Sequence, residues 1–382
     1  METYFEELFN GTTNKSMTNF DALGNSSHYN NTIPEPSWKD DIKPVVDYLM
    51  LIILIVVMLA MGCEVTWMNI WVHIKRPIGL IIGLVSQFIL KPLFAYLILL
   101  ASGISGLHAT GVLIIACCPG GVLSNTFTYF CDGDLGLSIA MTTASTVIAM
   151  GLMPGNLLLY GRSFESEEVV IPYKEMALSL VSVTSPVIVG MIIKWKLPSV
   201  AKKVAKVGSL CGLLIMFICI AIELVLFPNM FDNVPLELYF LSIILPILGL
   251  AMGYFLSYLG KQVIPIRKTV AIECGVQNVP VALTIIAMSF PLEMQEEIVL
   301  LPWLYGFFMI TGCSAMCLCY RLFKRRQQRQ EKELKKAKSI ALKENGHLEE
   351  KEDLMEANGV KIEVKSMKSA ELNGNGKNAV DV

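Results

Sequence analysis

The apolar positions of this chain fall into long unbroken blocks, separated by short polar stretches. After a polar start over residues 1–43, the blocks cover 45–63, 78–100, 108–130, 135–160, 176–194, 208–227, 236–259, 269–290 and 298–319. Each is close to the ~20 apolar residues that a helix needs to cross the hydrocarbon core. The blocks are continuous, without the apolar/polar alternation of barrel strands, so they predict helices. Nine spans follow, and with them an all-α polytopic membrane protein. The domain plan is an outer tail (1–43), a nine-helix domain (44–320) and a charged tail (321–382), with the tail helical near the membrane and disordered after Asn345.

Two of the blocks are interrupted at their centres. The eighth holds Glu273, Gly275, Gln277, Asn278 and Pro280. Pro280 has no N–H to give and its ring clashes with the preceding turn. Gly275 adds backbone freedom. A broken helix is predicted, and non-helical backbone at this depth survives only where protein covers it or it lines a cavity. Glu273 in lipid is costly, so it should face inward and meet a cation. The third block holds Pro119-Gly120-Gly121 and then Ser124-Asn125. With spans one to four and six to nine taken as repeats and span five as connector, each break falls in the third member. The two members run in opposite directions, the inverted-repeat pattern of many transporters.

Charge supplies the orientation. Of 382 residues 54% are hydrophobic and only 17% charged, below the ~25% of ordinary soluble domains. With the N-terminus outside, the inner loops hold Lys75, Arg76, Lys194, Lys196, Lys202, Lys203, Lys206, Lys261, Arg267 and Lys268, whereas the outer loops hold only Arg162 and Lys174. That is a strong positive-inside bias. Asn10, Asn14, Asn25 and Asn30 each begin a glycosylation sequon, which also points to an extracellular N-terminal tail. No cleaved signal peptide is expected. The C-terminus is expected in the cytoplasm, and the plasma membrane is the expected location.

Enzyme chemistry finds little support. No span interior carries histidine, and there is no His-Glu-x-x-His, Gly-x-Ser-x-Gly or phosphate-binding loop. Asp132-Gly133-Asp134 reads as the tight turn between spans three and four. Oxygen-rich side chains are the better candidates, since hard cations such as sodium take carboxylate, amide, hydroxyl and carbonyl ligands. Ser138, Thr142 and Ser145 or Thr146 share one helical face, and could close a site with Ser124, Asn125 and Glu273. The other reading is hydroxyls bonded to their own helix. Gln87, in the second span, is either interhelical glue or a cation ligand. Lys91, just before Pro92, either lines the path of an anionic substrate or serves as a tethered cation that pairs with Glu273. Glu223 is given no role.

Three motifs carry a resemblance. They are Cys-Cys-Pro-Gly-Gly-x-x-Ser-Asn at 117–125, Asp-Gly-Asp-x-x-Leu-Ser-x-x-Met-Thr-Thr-x-Ser-Thr at 132–146, and Arg-x-Thr-Val-x-x-Glu-x-Gly-x-Gln-Asn at 267–278. Met61-Gly62-Cys63, His73-Ile-Lys-Arg-Pro77 and Ile171-Pro172-Tyr173 add to them. The chain resembles the animal branch of the sodium/bile acid cotransporter family over residues 45–320. The resemblance implies two broken helices crossing in a core domain, and two sodium sites. Ser124, Asn125, Ser138, Thr142 and Glu273 match the first. Gln87, Glu273 and Gln277 match the second, with carbonyls near Val276. Asn278 lies beside the implied substrate path, with Lys91. The implied activity is sodium-coupled uptake of bile acids or sulfated steroids, with sodium the only metal and no resident cofactor or nucleic-acid partner. The chain departs from the family pattern at Cys274, at Pro280-Val281-Ala282 and at Lys91, where the family has an apolar residue. A family member moving another organic anion, an uncoupled channel and a sensor are the alternatives.

Overall fold

The computed structural model describes residues 38–65, 77–165, 171–207 and 234–357, together with 71, 73, 75 and 221. The four sequons lie outside them, as does the sixth predicted span apart from residue 221. The chain divides into two units, Met1–Ile42 and Lys43–Val382. In the first, only the start of a helix, residues 38–42, is described; the remaining helices belong to the second.

The described elements are helical: α1 (Trp38–Glu64), α2 (Ile78–Ser102), α3 (Gly106–Cys117), α4 (Leu123–Phe130), α5 (Leu135–Gly161), α6 (Tyr173–Lys196), α7 (Leu236–Leu259), α8 (Ile264–Gly275), α9 (Val279–Ser289) and α10 (Leu292–Ala357). Among them α2, α5, α6, α7 and α10 contain stretches long and apolar enough to cross a bilayer. The protein is a multi-pass membrane protein. The third predicted span is two half-helices, α3 and α4, and the eighth is α8 and α9.

Several helix ends differ from the apolar blocks. Helix α8 starts at Ile264 and takes in Arg267 and Lys268. Hydropathy ends a block at the first charges, but Pro265 is a favourable first-turn residue, so the helix starts there. Helix α10 continues to Ala357, beyond Asn345. That segment is rich in Glu, Lys, Leu and Ala, all good helix formers. The turn at Asp132-Gly133-Asp134 forms as read, with Asp132 at φ 53° and Asp134 Oδ1 accepting from Leu137 N at 2.9 Å to cap α5.

Helix α2 is irregular just ahead of Lys91-Pro92. Its segment Ser86–Leu90 is a π turn, a distortion common at functional sites. Pro92 gives no N–H to Phe88 O, its partner in a regular helix. Asn156 of α5 supplies the missing donor, its Nδ2 bonding Phe88 O at 2.7 Å. Helix α7 packs directly on α8 through two glycines. A Cβ at Gly249 would overlap Cys274 O, and one at Gly253 would stand 2.7 Å from Val270 O. This backbone-to-backbone approach holds the half-helix that carries Glu273.

Candidate cation site at the crossing of two broken helices

The two interruptions meet. Gly120 and Gln277 form an antiparallel bridge. Gly121 N donates to Val276 O at 3.0 Å, and Asn278 N donates to Pro119 O at 3.0 Å. Each break therefore satisfies backbone groups that the other leaves free, as burial requires. Only glycine permits this. A Cβ at Gly121 would lie 2.6 Å from Gln277 O, and one at Gly120 would overlap Glu273 Oε1. Gly120 N also donates to Ser145 Oγ at 3.3 Å, which ties the first break to α5.

Glu273 sits near the end of α8 and is fully buried. Ser124 Oγ donates to its Oε2 at 2.6 Å, Ser138 Oγ to the same oxygen at 3.2 Å, and Thr142 Oγ1 to its Oε1 at 2.6 Å. Three elements, α4, α5 and α8, thus aim oxygens at one point. The hydroxyl stripe of α5 divides between the two readings made of it. Ser138 and Thr142 turn to Glu273, while Thr143 bonds Ile139 O at 2.8 Å and Thr146 bonds Thr142 O at 2.7 Å within their own helix. Thr142 Oγ1 also lies 3.0 Å from Ser138 O. Its single proton can go to the carboxylate or to that carbonyl, so the hydroxyl can turn a lone pair toward an arriving cation. Asn125 Oδ1 is buried without a hydrogen-bond partner. A carboxylate and three hydroxyls are a fitting donor set for a hard cation, and Asn125 follows Ser124 directly in α4. Among the described residues no cluster of three His, Cys, Asp or Glu exists, so the set does not suit a transition metal.

The remaining candidates lie in or against the same crossing. Gln277, in the orientation that satisfies both ends of its amide, donates to Pro119 O at 2.9 Å and to Cys118 O at 2.5 Å. Its Oε1 accepts from Lys91 Nζ at 2.6 Å. Gln87 Nε2 donates to Cys118 O at 3.4 Å. Asn278 caps α9, its Oδ1 accepting from Val281 N at 3.4 Å, and its Nδ2 is buried without a partner. Lys91 Nζ bonds Cys274 O at 3.1 Å and Tyr305 Oη at 2.9 Å. No ion pair within 4.0 Å joins Lys91 to Glu273 among the described residues, so the direct pairing that one of the two readings of Lys91 called for is not made. Tyr305 was not among the sequence candidates. A buried tyrosine hydroxyl in an apolar helix needs a partner, and that requirement was the available signal.

Outside the membrane-spanning segments, Asp132 holds the turn between α4 and α5 against α10. Its Oδ2 accepts from Lys324 Nζ at 2.5 Å and from Tyr320 Oη at 2.8 Å. These two donors, Lys324 first, hold the Asp132 carboxyl below its ordinary value.

The same chain has recognisable relatives. The profile of the Sodium Bile acid symporter family matches residues 51–233. The ileal sodium/bile acid cotransporter of Homo sapiens is 34% identical over 328 residues, covering 86% of this chain and 92% of that protein. The chain belongs to the sodium bile acid symporter family. The sodium-dependent organic anion transporter of Mus musculus is 34% identical over 314 residues, covering 81% of this chain and 84% of that protein. Its counterpart in Bos taurus is 36% identical over 270 residues, covering 70% and 71%. The family is one of sodium-coupled transporters, not enzymes.

Proposed function

We propose that this chain is a sodium-coupled symporter that carries amphipathic organic anions, such as bile acids or sulfated steroids, into the cell. The supporting observation is the buried Glu273 carboxylate ringed by Ser124, Ser138 and Thr142 where two broken helices meet. Sodium bound there would be ligated by these side chains and by Asn125. Gln87 and Gln277 belong to the same crossing. The unpartnered Asn278 Nδ2 stands at the N-terminus of α9, where the helix dipole favours an anionic group. It is our candidate for a substrate contact. The protein is read as nine-spanning, with inverted repeats, in the plasma membrane, glycosylated at its outer tail on Asn10, Asn14, Asn25 or Asn30. No resident cofactor is proposed; sodium is co-transported cargo.

Uptake of labelled taurocholate and of a steroid sulfate, in sodium against choline medium, tests the function. Saturable uptake that requires sodium is expected for at least one of them. Equal uptake in both media would sink the coupling. For topology, an epitope placed after Lys336 should stain only permeabilised cells. Staining of intact cells would overturn the nine-span arrangement.

A further inference from the structure

Lys91 is 0% exposed, in the middle of an apolar helix. A charged lysine at that depth is costly to bury, so its surroundings must answer for it. They do so with three oxygens: Cys274 O at 3.1 Å, Tyr305 Oη at 2.9 Å and Gln277 Oε1 at 2.6 Å. An ammonium has three N–H donors and no acceptor, and each finds one partner. Tyr305 is set for this role, because its own proton goes to Gly275 O at 2.7 Å, leaving its oxygen free to accept. Its ring also stands 5.1 Å from Nζ. The carbonyls of Cys274 and Gly275 are among the last of α8. They have no partner within the helix and form the negative end of its dipole. Half-helix C-termini of this kind are where broken-helix transporters coordinate their cations.

We propose that the Lys91 ammonium is a tethered cation, occupying from within the chain an oxygen-lined position that would otherwise take a sodium ion. The proposal deepens the symport reading above and rests on it for its consequence: coupling in this protein uses one sodium fewer than the crossing could hold. The Glu273 position remains for the ion that comes and goes. The lysine keeps the other position filled throughout the cycle.

The test is equilibrium binding of radioactive sodium to the purified full-length chain, wild type against Lys91→Met, with Lys91→Arg as a charge-retaining control. One ion per chain is expected for the wild type and for Lys91→Arg, and two for Lys91→Met, whose uptake should show a correspondingly steeper dependence on sodium. One ion in both wild type and Lys91→Met would overturn the proposal and leave the symport reading intact, with Lys91 a structural brace. No ion in the wild type but one in Lys91→Met would sink the symport reading while supporting the tethered cation. No ion in either would sink both. If Lys91→Met cannot be purified, Lys91→Gln, which also removes the ammonium, takes its place with the same outcomes. Weaker apparent affinity for the organic anion in Lys91→Met, with an unchanged sodium count, would place Lys91 on the substrate path instead.

Discussion

Glu273 and Lys91 are opposite charges buried at the same helix break, and they are not paired with each other. Glu273 is surrounded by side-chain hydroxyls from α4 and α5. Lys91 is met by backbone and side-chain oxygens from the end of α8, the break after it, and α10. A hydroxyl can donate to a carboxylate and then rotate to offer a lone pair, which is what the proposed sodium site asks of the first cluster. The acceptors around Lys91 surround a cation fixed to the chain. A buried carboxylate flanked by adaptable donors suits a transient guest. A buried ammonium with each N–H matched suits a permanent one.

The largest effect should come from Glu273→Gln. It removes the charge that would balance sodium in the proposed site, so sodium-dependent uptake should fall to background while surface expression persists. Wild-type uptake in a correctly targeted mutant would erase the distinction between the two clusters. Gly120→Ala comes next. The new Cβ would overlap Glu273 Oε1, and the carboxylate must move or the bridge to Gln277 must open. At least about tenfold weaker apparent sodium affinity is expected, corresponding to ~1.4 kcal/mol. A sodium titration of uptake checks it. Thr142→Val and Thr143→Val then sharpen the comparison within one helix. A hydrogen bond to a charged group contributes about 1.5–3 kcal/mol, so Thr142→Val should weaken sodium dependence by about tenfold or more. Thr143 bonds its own helix, and Thr143→Val should leave the sodium titration unchanged. Equal effects at the two positions would mean that the α5 hydroxyls only stabilise the helix.

The smallest effect belongs to the exposed counterpart of these buried charges. Asp132 is partly solvated, with a side chain 35% exposed. Ion pairs of this sort contribute no more than about 1 kcal/mol. Because Lys324 and Tyr320 hold its carboxyl below the ordinary value, the tie is present at neutral pH and is lost only as pH falls through the lowered value. Asp132→Asn should therefore lower thermal stability slightly at pH 7, with the difference from wild type disappearing in acid. A difference that grew in acid would show that another group holds the turn.

Much of the site was legible in one dimension, because its chemistry offends the local pattern. A glutamate, two amides and a proline inside an apolar block are costly unless they serve an interior site, and Pro-Gly-Gly cannot continue a helix. Glu273, Ser124, Asn125 and Gln277 stand out for those reasons, and the continuous apolar blocks specify membrane helices. The helix ends were harder to read. Hydropathy tracks transfer free energy, while a helix ends where its hydrogen bonds end, so α8 begins before its apolar block and α10 continues past its own. Pairings across the fold could not be read along the chain at all. The sequence allowed Lys91 to meet Glu273. Tertiary structure sends it to Cys274 O, Gln277 and Tyr305, because a carbonyl freed at the end of α8 and a hydroxyl from α10 converge on it. Neither is a property of Lys91's neighbours in sequence. The same holds for the split among Ser138, Thr142, Thr143 and Thr146, whose roles depend on which face of α5 the packing of α8 turns toward Glu273.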